Sequence, residues 1–287
     1  MKIIKTQSLP VIWQGFSFDK NVAETSNALD IILTVMYNDV VITLIMKGIY
    51  TMRVERFNSY EEMSEFIASA YAAQLILKPN SVLGFATGST PLGAYAKLIE
   101  MYKAGKVDFS KCTSFNLDEY YPISRTNDQS YYYFMMENLF KHINIRSESI
   151  HVPNGEVSDY QKECDDYDNL IDEFGGIDLQ LLGIGENGHI GFNEPEAKLY
   201  CKTHMTGLTE STITANARFF ASADEVPKNA ITMGVGSIFK ARKIIIAING
   251  KKKLDAFNKL MEERLDTSCP ATLLNLHSDV IVAYSEN

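Results

Sequence analysis

The sequence predicts a three-layer α/β fold, with helices on both faces of a doubly wound, mostly parallel sheet of Rossmann-like type. Short apolar runs that do not alternate with polar residues recur from residue 82 onward, as expected of strands buried on both faces. Helical patterns separate these runs along the chain. The polar motifs follow directly after the runs, at the sheet edge where ligands bind in such folds.

The first element of this pattern is a helix that begins after Ser59. Ser59-Tyr60-Glu61-Glu62 is a capping box, in which the hydroxyl and the carboxylate satisfy free backbone N–H groups. Apolar residues then recur at helical spacing up to Leu77, and the helix is predicted to end at 78–80. The next elements are a strand at 82–86, a helix at 92–102, strands at 113–117, 177–184 and 243–248, a helix with Leu254, Phe257 and Leu260, and a strand at 280–284.

Residues 1–51 differ from this pattern, and we expect them to be an N-terminal extension of one domain that spans residues 52–287. Their apolar stretch, 29–50, is interrupted by charged and amide residues, so neither a membrane span nor a signal peptide is expected. The run 39–46 has the composition of a β-strand. The extension either belongs to the natural protein or reflects the choice of start codon.

The charge balance excludes some classes of partner. The chain has 287 residues, with 27 Lys and Arg against 36 Asp and Glu, for a net charge of -9. An acidic chain is a poor general binder of nucleic acid or anionic membrane, so neither partner is expected. The four cysteines are widely spread without a C-x-x-C pair, which favours reduced thiols in a cytoplasmic protein over a zinc cage or disulfides.

Thr87, Gly88, Ser89, Thr90 and Pro91 lie between a predicted strand and a predicted helix. Hydroxyls beside the free N–H groups of a helix start can bind a phosphate. Taken alone, an ordinary helix start capped by Ser or Thr is the simpler interpretation. The motif lacks the Gly-Lys-Ser/Thr ending of a P-loop and is not Gly-x-Gly-x-x-Gly, so nucleotide binding is disfavoured.

Asp118 and Glu119 follow the second predicted strand of the domain. A partly desolvated carboxylate at such a position can act as a general base. The alternative is a solvated acidic turn, which we prefer for Glu119. For Asp118 the spacing alone leaves both interpretations open.

The segment 183–195 is the densest constellation, with glycines that bend the backbone next to a strand end. His189 has an amide two positions before it, Asn187, and a carboxylate five positions after it, Glu194. A histidine held by such groups is a tuned proton carrier, whereas an isolated histidine is more often a packed or surface residue. No spacing typical of metal ligands is present, and no metal site is expected.

Two cations can add contacts to an anion at this edge. Arg218 lies between apolar neighbours, and Lys253 ends a run of three lysines after the fourth predicted strand of the domain. For Lys251 and Lys252 a solvated charge run is the default interpretation.

Together these motifs resemble the glucosamine-6-phosphate deaminase (isomerase) family, which is related to 6-phosphogluconolactonases. The resemblance runs from about residue 52 to the end of the chain. It rests on the order and spacing of six motifs, Thr87-Gly88-Ser89-Thr90-Pro91, Phe115-Asn116-Leu117-Asp118-Glu119-Tyr120, Ser130-Tyr131-Tyr132-Tyr133-Phe134, the segment 185–195, Asn216-Ala217-Arg218-Phe219-Phe220 and the segment 230–236. Lactonases typically read Gly-His-Thr-Ala-Ser-Leu-Phe-Pro where this chain reads Gly-His-Ile-Gly-Phe-Asn-Glu-Pro.

The resemblance implies conversion of D-glucosamine 6-phosphate and water to D-fructose 6-phosphate and ammonia, without metal or organic cofactor. His189, oriented by Asn187 and Glu194, would open the sugar ring, and Asp118 would move the C2 proton. The groups implied for the 6-phosphate are Thr87, Gly88, Ser89, Thr90, Arg218 and Lys253.

Two departures from the family pattern bear on function. Some members have Asp where this chain has Asn187, and an amide orients His189 without adding a charge. Long members are activated by N-acetylglucosamine 6-phosphate, but their Ser and Arg-x-Lys-Thr residues are absent here at 196–198 and 204–207, which predicts the short, non-allosteric type. A sugar-phosphate lactonase or isomerase and a non-catalytic sugar-phosphate sensor remain as alternatives, and the oligomeric state stays open.

Overall fold

The computed structural model describes residues 52–209, 213 and 226–286, together with three strands between residues 17 and 46. The chain divides into two units, Met1–Tyr50 and Thr51–Asn287. In the first unit β1 (Ser17–Phe18), β2 (Ile31–Tyr37) and β3 (Val40–Met46) pair in antiparallel order. The strand predicted at 39–46 is therefore confirmed, whereas the status of residues 1–51 as an extension stays a prediction.

The second unit is built around a parallel sheet, the main sheet. Among the described residues it has seven strands, all paired in parallel. In spatial order they are β4 (Arg53–Phe57), β13 (Val280–Ser285), β12 (Ile244–Asn249), β9 (Leu179–Leu182), β5 (Val82–Phe85), β6 (Thr113–Asn116) and β8 (Ile150–His151). After β5 the chain adds β6 and β8 on one side. It then crosses to β9 on the other side of β5 and adds β12 and β13 there. The order thus reverses between β5 and β9, which is where doubly wound sheets bind ligands.

Helices cover this sheet and complete the predicted three-layer α/β fold, which is confirmed. Their bounds are α1 (Tyr60–Leu77), α2 (Leu92–Lys103), α3 (Tyr131–Asn138), α4 (Tyr160–Glu173), α5 (Val235–Phe239) and α6 (Leu254–Leu260). Helix α1 packs on β4, β12 and β13 and against α2. Its Met63 and Ile67 join the strand residues Ile245 and Val282 in the buried core.

A second sheet, the small sheet, lies at the end of β6 and was not predicted. In it β7 (Asp118–Tyr121) pairs with β11 (Asn229–Thr232), which pairs with β10 (His204–Gly207), both in antiparallel order. Leu117 alone separates β6 from β7, and its carbonyl accepts a hydrogen bond from Met233 N at 2.8 Å. Asp118 therefore stands where the two sheets meet.

The predicted elements of the domain are present, with ends that differ by one or two residues. Ser59 caps α1 as predicted, since its Oγ accepts from Glu62 N at 3.2 Å. Glu62 Oε2 reaches back to Asn58 N at 3.0 Å, one residue before the expected N–H group of Ser59. Leu77 is 84% exposed, so the last predicted core position of α1 lies outside the core. Two elements were not predicted, the edge strand β4, three of whose five residues are charged, and the mostly polar helix α4.

Two further observations concern the described part of the chain. No helix there is long and apolar enough to cross a membrane. The four cysteines, all within it, are free: Cys112, Cys164 and Cys269 are buried, and Cys201 is exposed.

Candidate functional site

The motifs singled out in the sequence lie after neighbouring strands of the main sheet. In the spatial order β12, β9, β5 and β6, these strands are followed by Lys253, the segment 183–195, the segment 87–91 and Asp118. Because the carboxyl ends of parallel strands share one edge, the chain brings these groups together around the switch point.

The segment after β5 leads into α2. Gly88 turns the backbone there with a φ of 99°. Pro91 immediately precedes the helix, and it makes no capping hydrogen bond through its side chain. The interpretation as an ordinary capped helix start therefore does not account for the hydroxyls of Thr87, Ser89 and Thr90. These three residues precede the start of α2, where the first N–H groups of a helix can bind an anion.

Lys253 contacts this segment from the loop after β12, which lies two strands away from β5 in the main sheet. It ends a short 3-10 helix, Lys251–Lys253, after β12, and its Nζ donates to Thr90 Oγ1 at 3.4 Å. Burial lowers the pKa of Lys253, although the carboxylate of Glu186 raises it. Lys251 and Lys252 are exposed, as a solvated pair of charges should be.

Tyr60, the first residue of α1, also holds this segment and was missed by the sequence analysis. Its hydroxyl donates to the carbonyl oxygens of Ser89 at 3.1 Å and Thr90 at 3.0 Å, which share its hydrogen. The same hydroxyl accepts from Gly93 N at 2.7 Å. A tyrosine at a helix start carries no local signal for such a role, because its partners lie about thirty residues further along the chain.

Asp118 is buried, with 6% of its surface exposed. Burial, together with the like charge of the neighbouring Glu119, raises the pKa of its carboxyl to about 8. The interpretation of this segment as a solvated turn is thus wrong for Asp118. A carboxyl with a pKa near neutral pH has the property that a general base needs.

Glu119 contradicts our prediction of a solvated acidic residue even more clearly. It is 1% exposed, because its carboxylate is inserted at the start of α3. There it accepts from the backbone N–H groups of Tyr120 at 2.9 Å, Tyr131 at 2.8 Å and Tyr132 at 2.9 Å. Burial raises the pKa of Glu119 to about 7, and these three hydrogen bonds oppose the rise.

His189, Asn187 and Glu194 form one connected group. Asn187 Oδ1 lies 2.7 Å from His189 Nδ1, and Asn187 Nδ2 donates to Glu194 Oε2 at 2.7 Å. The same carboxylate oxygen lies 3.4 Å from His189 Nδ1. Both neighbours of Nδ1 are acceptors, so Nδ1 carries the hydrogen and Nε2 is left for a ligand.

The loop that carries His189 packs closely against Asp118. At Gly191, whose φ is 58°, an added Cβ would lie 3.4 Å from Asp118 Oδ2 and 2.9 Å from Thr232 Oγ1. Only glycine combines this conformation with so close an approach. Phe192 N donates to Thr232 Oγ1 at 3.1 Å, which ties the loop to the small sheet that begins with Asp118.

One predicted phosphate ligand, Arg218, lies outside the described residues. Within the described ranges, no group of three or more His, Cys, Asp or Glu is arranged to hold a metal ion. The described part of the site thus brings two buried carboxyl groups, a hydrogen-bonded imidazole, a helix N-terminus and a lysine to the carboxyl ends of the strands.

The chain is similar to known proteins of one family. Residues 56–282 match the family model described as glucosamine-6-phosphate isomerases/6-phosphogluconolactonase. A glucosamine-6-phosphate deaminase from Thermoanaerobacter sp. (strain X514) is 55% identical, over 78% of this chain and 88% of that protein. One from Clostridioides difficile (strain 630) is 52% identical, over 82% and 94%. A solved monomeric glucosamine-6-phosphate deaminase is 43% identical, with a TM-score of 0.78 over 80% of this chain and 96% of that one.

Proposed function

Because the chain belongs to the family of glucosamine-6-phosphate isomerases and 6-phosphogluconolactonases, we propose that it converts D-glucosamine 6-phosphate and water to D-fructose 6-phosphate and ammonia. The observation that carries the proposal is the hydrogen-bonded group of Asn187, His189 and Glu194, on a loop that packs against the buried Asp118. This arrangement provides a proton carrier beside a base whose pKa is near neutral.

The 6-phosphate binds at the N-terminus of α2. Ser89 and Thr90 offer hydroxyls, and Thr87 and Gly88 line the turn before the helix. Lys253 supplies the positive charge, and a bound phosphate would replace the water that burial has removed from its ammonium group. Arg218 is proposed as a second cation on the resemblance alone.

His189 opens the sugar ring. Its Nε2 accepts the proton of the C1 hydroxyl and a proton passes to the ring oxygen, which leaves an open aldehyde with the amine at C2. Asn187 and Glu194 keep Nδ1 protonated and the ring oriented during this step.

Asp118 then moves a proton between C2 and C1. Its carboxylate removes the C2 proton while the protonated amine of the substrate gives a proton to the C1 oxygen, which yields a neutral enolamine. Asp118 then returns its proton at C1, so that C2 becomes a protonated imine. Water adds to C2, the C–N bond breaks, and ammonia leaves as the C2 ketone of fructose 6-phosphate forms. By this chemistry the enzyme is classed as a hydrolase, since one water is consumed.

The test is ammonia release from glucosamine 6-phosphate by the wild type and by Asp118→Asn, with fructose 6-phosphate measured in parallel. We expect equal amounts of the two products from the wild type, and a rate lower by about 10²- to 10⁴-fold in the variant because the base is lost. A wild type without turnover would contradict the proposal. Hydrolysis of 6-phosphogluconolactone in its place would identify the lactonase alternative.

Localisation, partners and oligomeric state complete the proposed function. The enzyme acts in the cytoplasm on a small sugar phosphate, without a cofactor and without a nucleic-acid or membrane partner. We propose that it is a monomer, which the monomeric state described for its solved relative supports. A hyperbolic rate curve that N-acetylglucosamine 6-phosphate leaves unchanged would support the non-allosteric type.

A further inference from the structure

Glu119 joins two elements that are distant in the sequence. Its Oε1 accepts from Tyr131 N and its Oε2 from Tyr132 N, the first two N–H groups of α3. Ser130 Oγ caps the third, from Tyr133, at 3.0 Å. Since a helix N-terminus favours a negative charge, the carboxylate holds α3 firmly against β7, one residue after Asp118.

Helix α3 in turn contacts the loop that carries His189. The ring of Tyr131 stacks on that of Phe192, with centroids 6.0 Å apart and planes inclined by 5°. Tyr120, next to Glu119 on β7, completes the cluster at 4.8 Å from Tyr131 and 5.9 Å from Phe192. A chain of packed groups thus runs from the Asp118 strand through Glu119 and α3 to the His189 loop.

The surroundings of Glu119 hold few other charges. On its own strand it faces Asp118 and Tyr120, on α3 it faces Tyr131, and the loop after β7 brings Arg125 near it. The opposing residue on β11, Ile231, does not titrate. The charge of Glu119 therefore acts on Asp118, Tyr120 and Tyr131, and among these Asp118 is the carboxyl group.

We propose that Glu119 is a positioning residue for the reaction, whose buried carboxylate fixes Asp118 and the His189 loop at the separation that proton transfer requires. This inference rests on the proposed function, in which both groups act on one substrate. Glu119 itself has no exposed surface with which to bind the substrate, and its carboxylate oxygens are occupied by backbone N–H groups.

The experiment compares Glu119→Gln and Glu119→Asp with a control, Asp178→Asn, for kcat, KM and the pH dependence of kcat/KM. Asp178 is also buried and also accepts a hydrogen bond from a backbone N–H group, that of Val82. It precedes β9, however, and so lies at the amino ends of the strands of the main sheet, whereas the candidate site lies at their carboxyl ends. Thermal unfolding of each variant shows how far stability is affected.

For Glu119→Gln we expect kcat to fall by about 10- to 100-fold with KM little changed, because misplaced reacting groups slow chemistry more than binding. The acid limb of the profile should move to lower pH, since a negative charge beside Asp118 is removed. Glu119→Asp keeps the charge but is too short to hold α3, so kcat should fall while the limb stays in place. Asp178→Asn should lower Tm and leave the kinetics unchanged.

The role is overturned if Glu119→Gln keeps the wild-type kcat and profile, or changes only as Asp178→Asn does. Should Glu119→Gln fail to fold, an unchanged kcat in Glu119→Asp overturns the role instead. A wild type that releases no ammonia overturns the proposed function and this role with it, whereas an active wild type with unaffected Glu119 variants overturns the role alone.

Discussion

Two buried aspartates, one at the amino end and one at the carboxyl end of the strands of the main sheet, show how differently the same side chain can be used. Asp178, before β9, is 5% exposed and accepts from Lys78 Nζ at 2.7 Å, Arg242 Nε at 3.2 Å and Val82 N at 2.8 Å. Two cations and a backbone N–H group thus compensate its charge. Asp178 therefore has a structural role, in which it connects separate elements of the fold.

Asp118, after β6, is as deeply buried but has the opposite surroundings. Within the described part of the chain no Lys, Arg or His lies within 4 Å of its carboxylate, and its closest charged influence is the like charge of Glu119. Such a group weakens the fold when it is ionised. A costly charge retained at the ligand-binding edge is typical of a catalytic residue.

The largest expected effect is a gain in stability from Asp118→Asn. The folded-state pKa of about 8 lies above the unfolded value of ~3.9, so the native protein loses stability as pH rises from about 4 to about 8. Asparagine carries no charge at any of these pH values, and the variant should be more stable than the wild type by a few kcal/mol at pH 8. Urea unfolding at pH 5 and pH 8 measures this, and the gain should be larger at pH 8.

The same substitution at Asp178, at the amino ends of the strands, should lower the stability of the protein instead of raising it. Asp178→Asn removes a carboxylate that two cations and a backbone N–H group share, and should lower the free energy of unfolding by about 1.5–3 kcal/mol. Urea unfolding at pH 8 beside Asp118→Asn tests the comparison directly. If both variants shift stability in the same direction, the distinction between the two aspartates does not hold.

A third test concerns the other desolvated charge at the ligand edge. Lys253→Met removes the ammonium group near Thr90 and should weaken substrate binding by about 2 kcal/mol, which raises KM by roughly 30-fold. Lys252→Met is the matched control, because this neighbouring lysine is 84% exposed in its side chain and should leave KM unchanged. Equal effects of the two substitutions would contradict a phosphate contact by Lys253.

The sequence predicted the main sheet well because its strands are defined locally. Unalternating apolar runs such as those of β5 and β12 are recognisable without knowledge of their partners. The motifs after these strands then predicted that the candidate site lies at the carboxyl ends of the strands, where the structure brings those motifs together. By contrast β7, β10 and β11 are four residues long and mix polar with apolar residues, so they depend on pairing between distant segments.

The burial of Glu119 and the contacts of Tyr60 could not be predicted from the sequence, and the physical reason is the same for both. Glu119 is buried only because α3, which begins twelve residues later, presents its first N–H groups to the carboxylate. Tyr60 acts only because β5 brings Ser89 and Thr90 beside the start of α1. Roles that arise from tertiary contact leave no periodicity or motif in the local sequence.

The smallest expected effect tests whether the phosphate segment is held by Tyr60. Tyr60→Phe keeps the ring but removes the hydroxyl that binds two carbonyl oxygens and one N–H group of the segment and of α2. The loss should be about 1 kcal/mol, seen as a KM several-fold higher at unchanged kcat, since the loosened segment affects binding of the phosphate and not proton transfer at C2. Tyr160→Phe is the control, because Tyr160 begins α4 as Tyr60 begins α1 but its ring contacts the ring of Tyr121 edge-on. A fall in kcat without a rise in KM would place Tyr60 in the chemistry and not in the binding of phosphate.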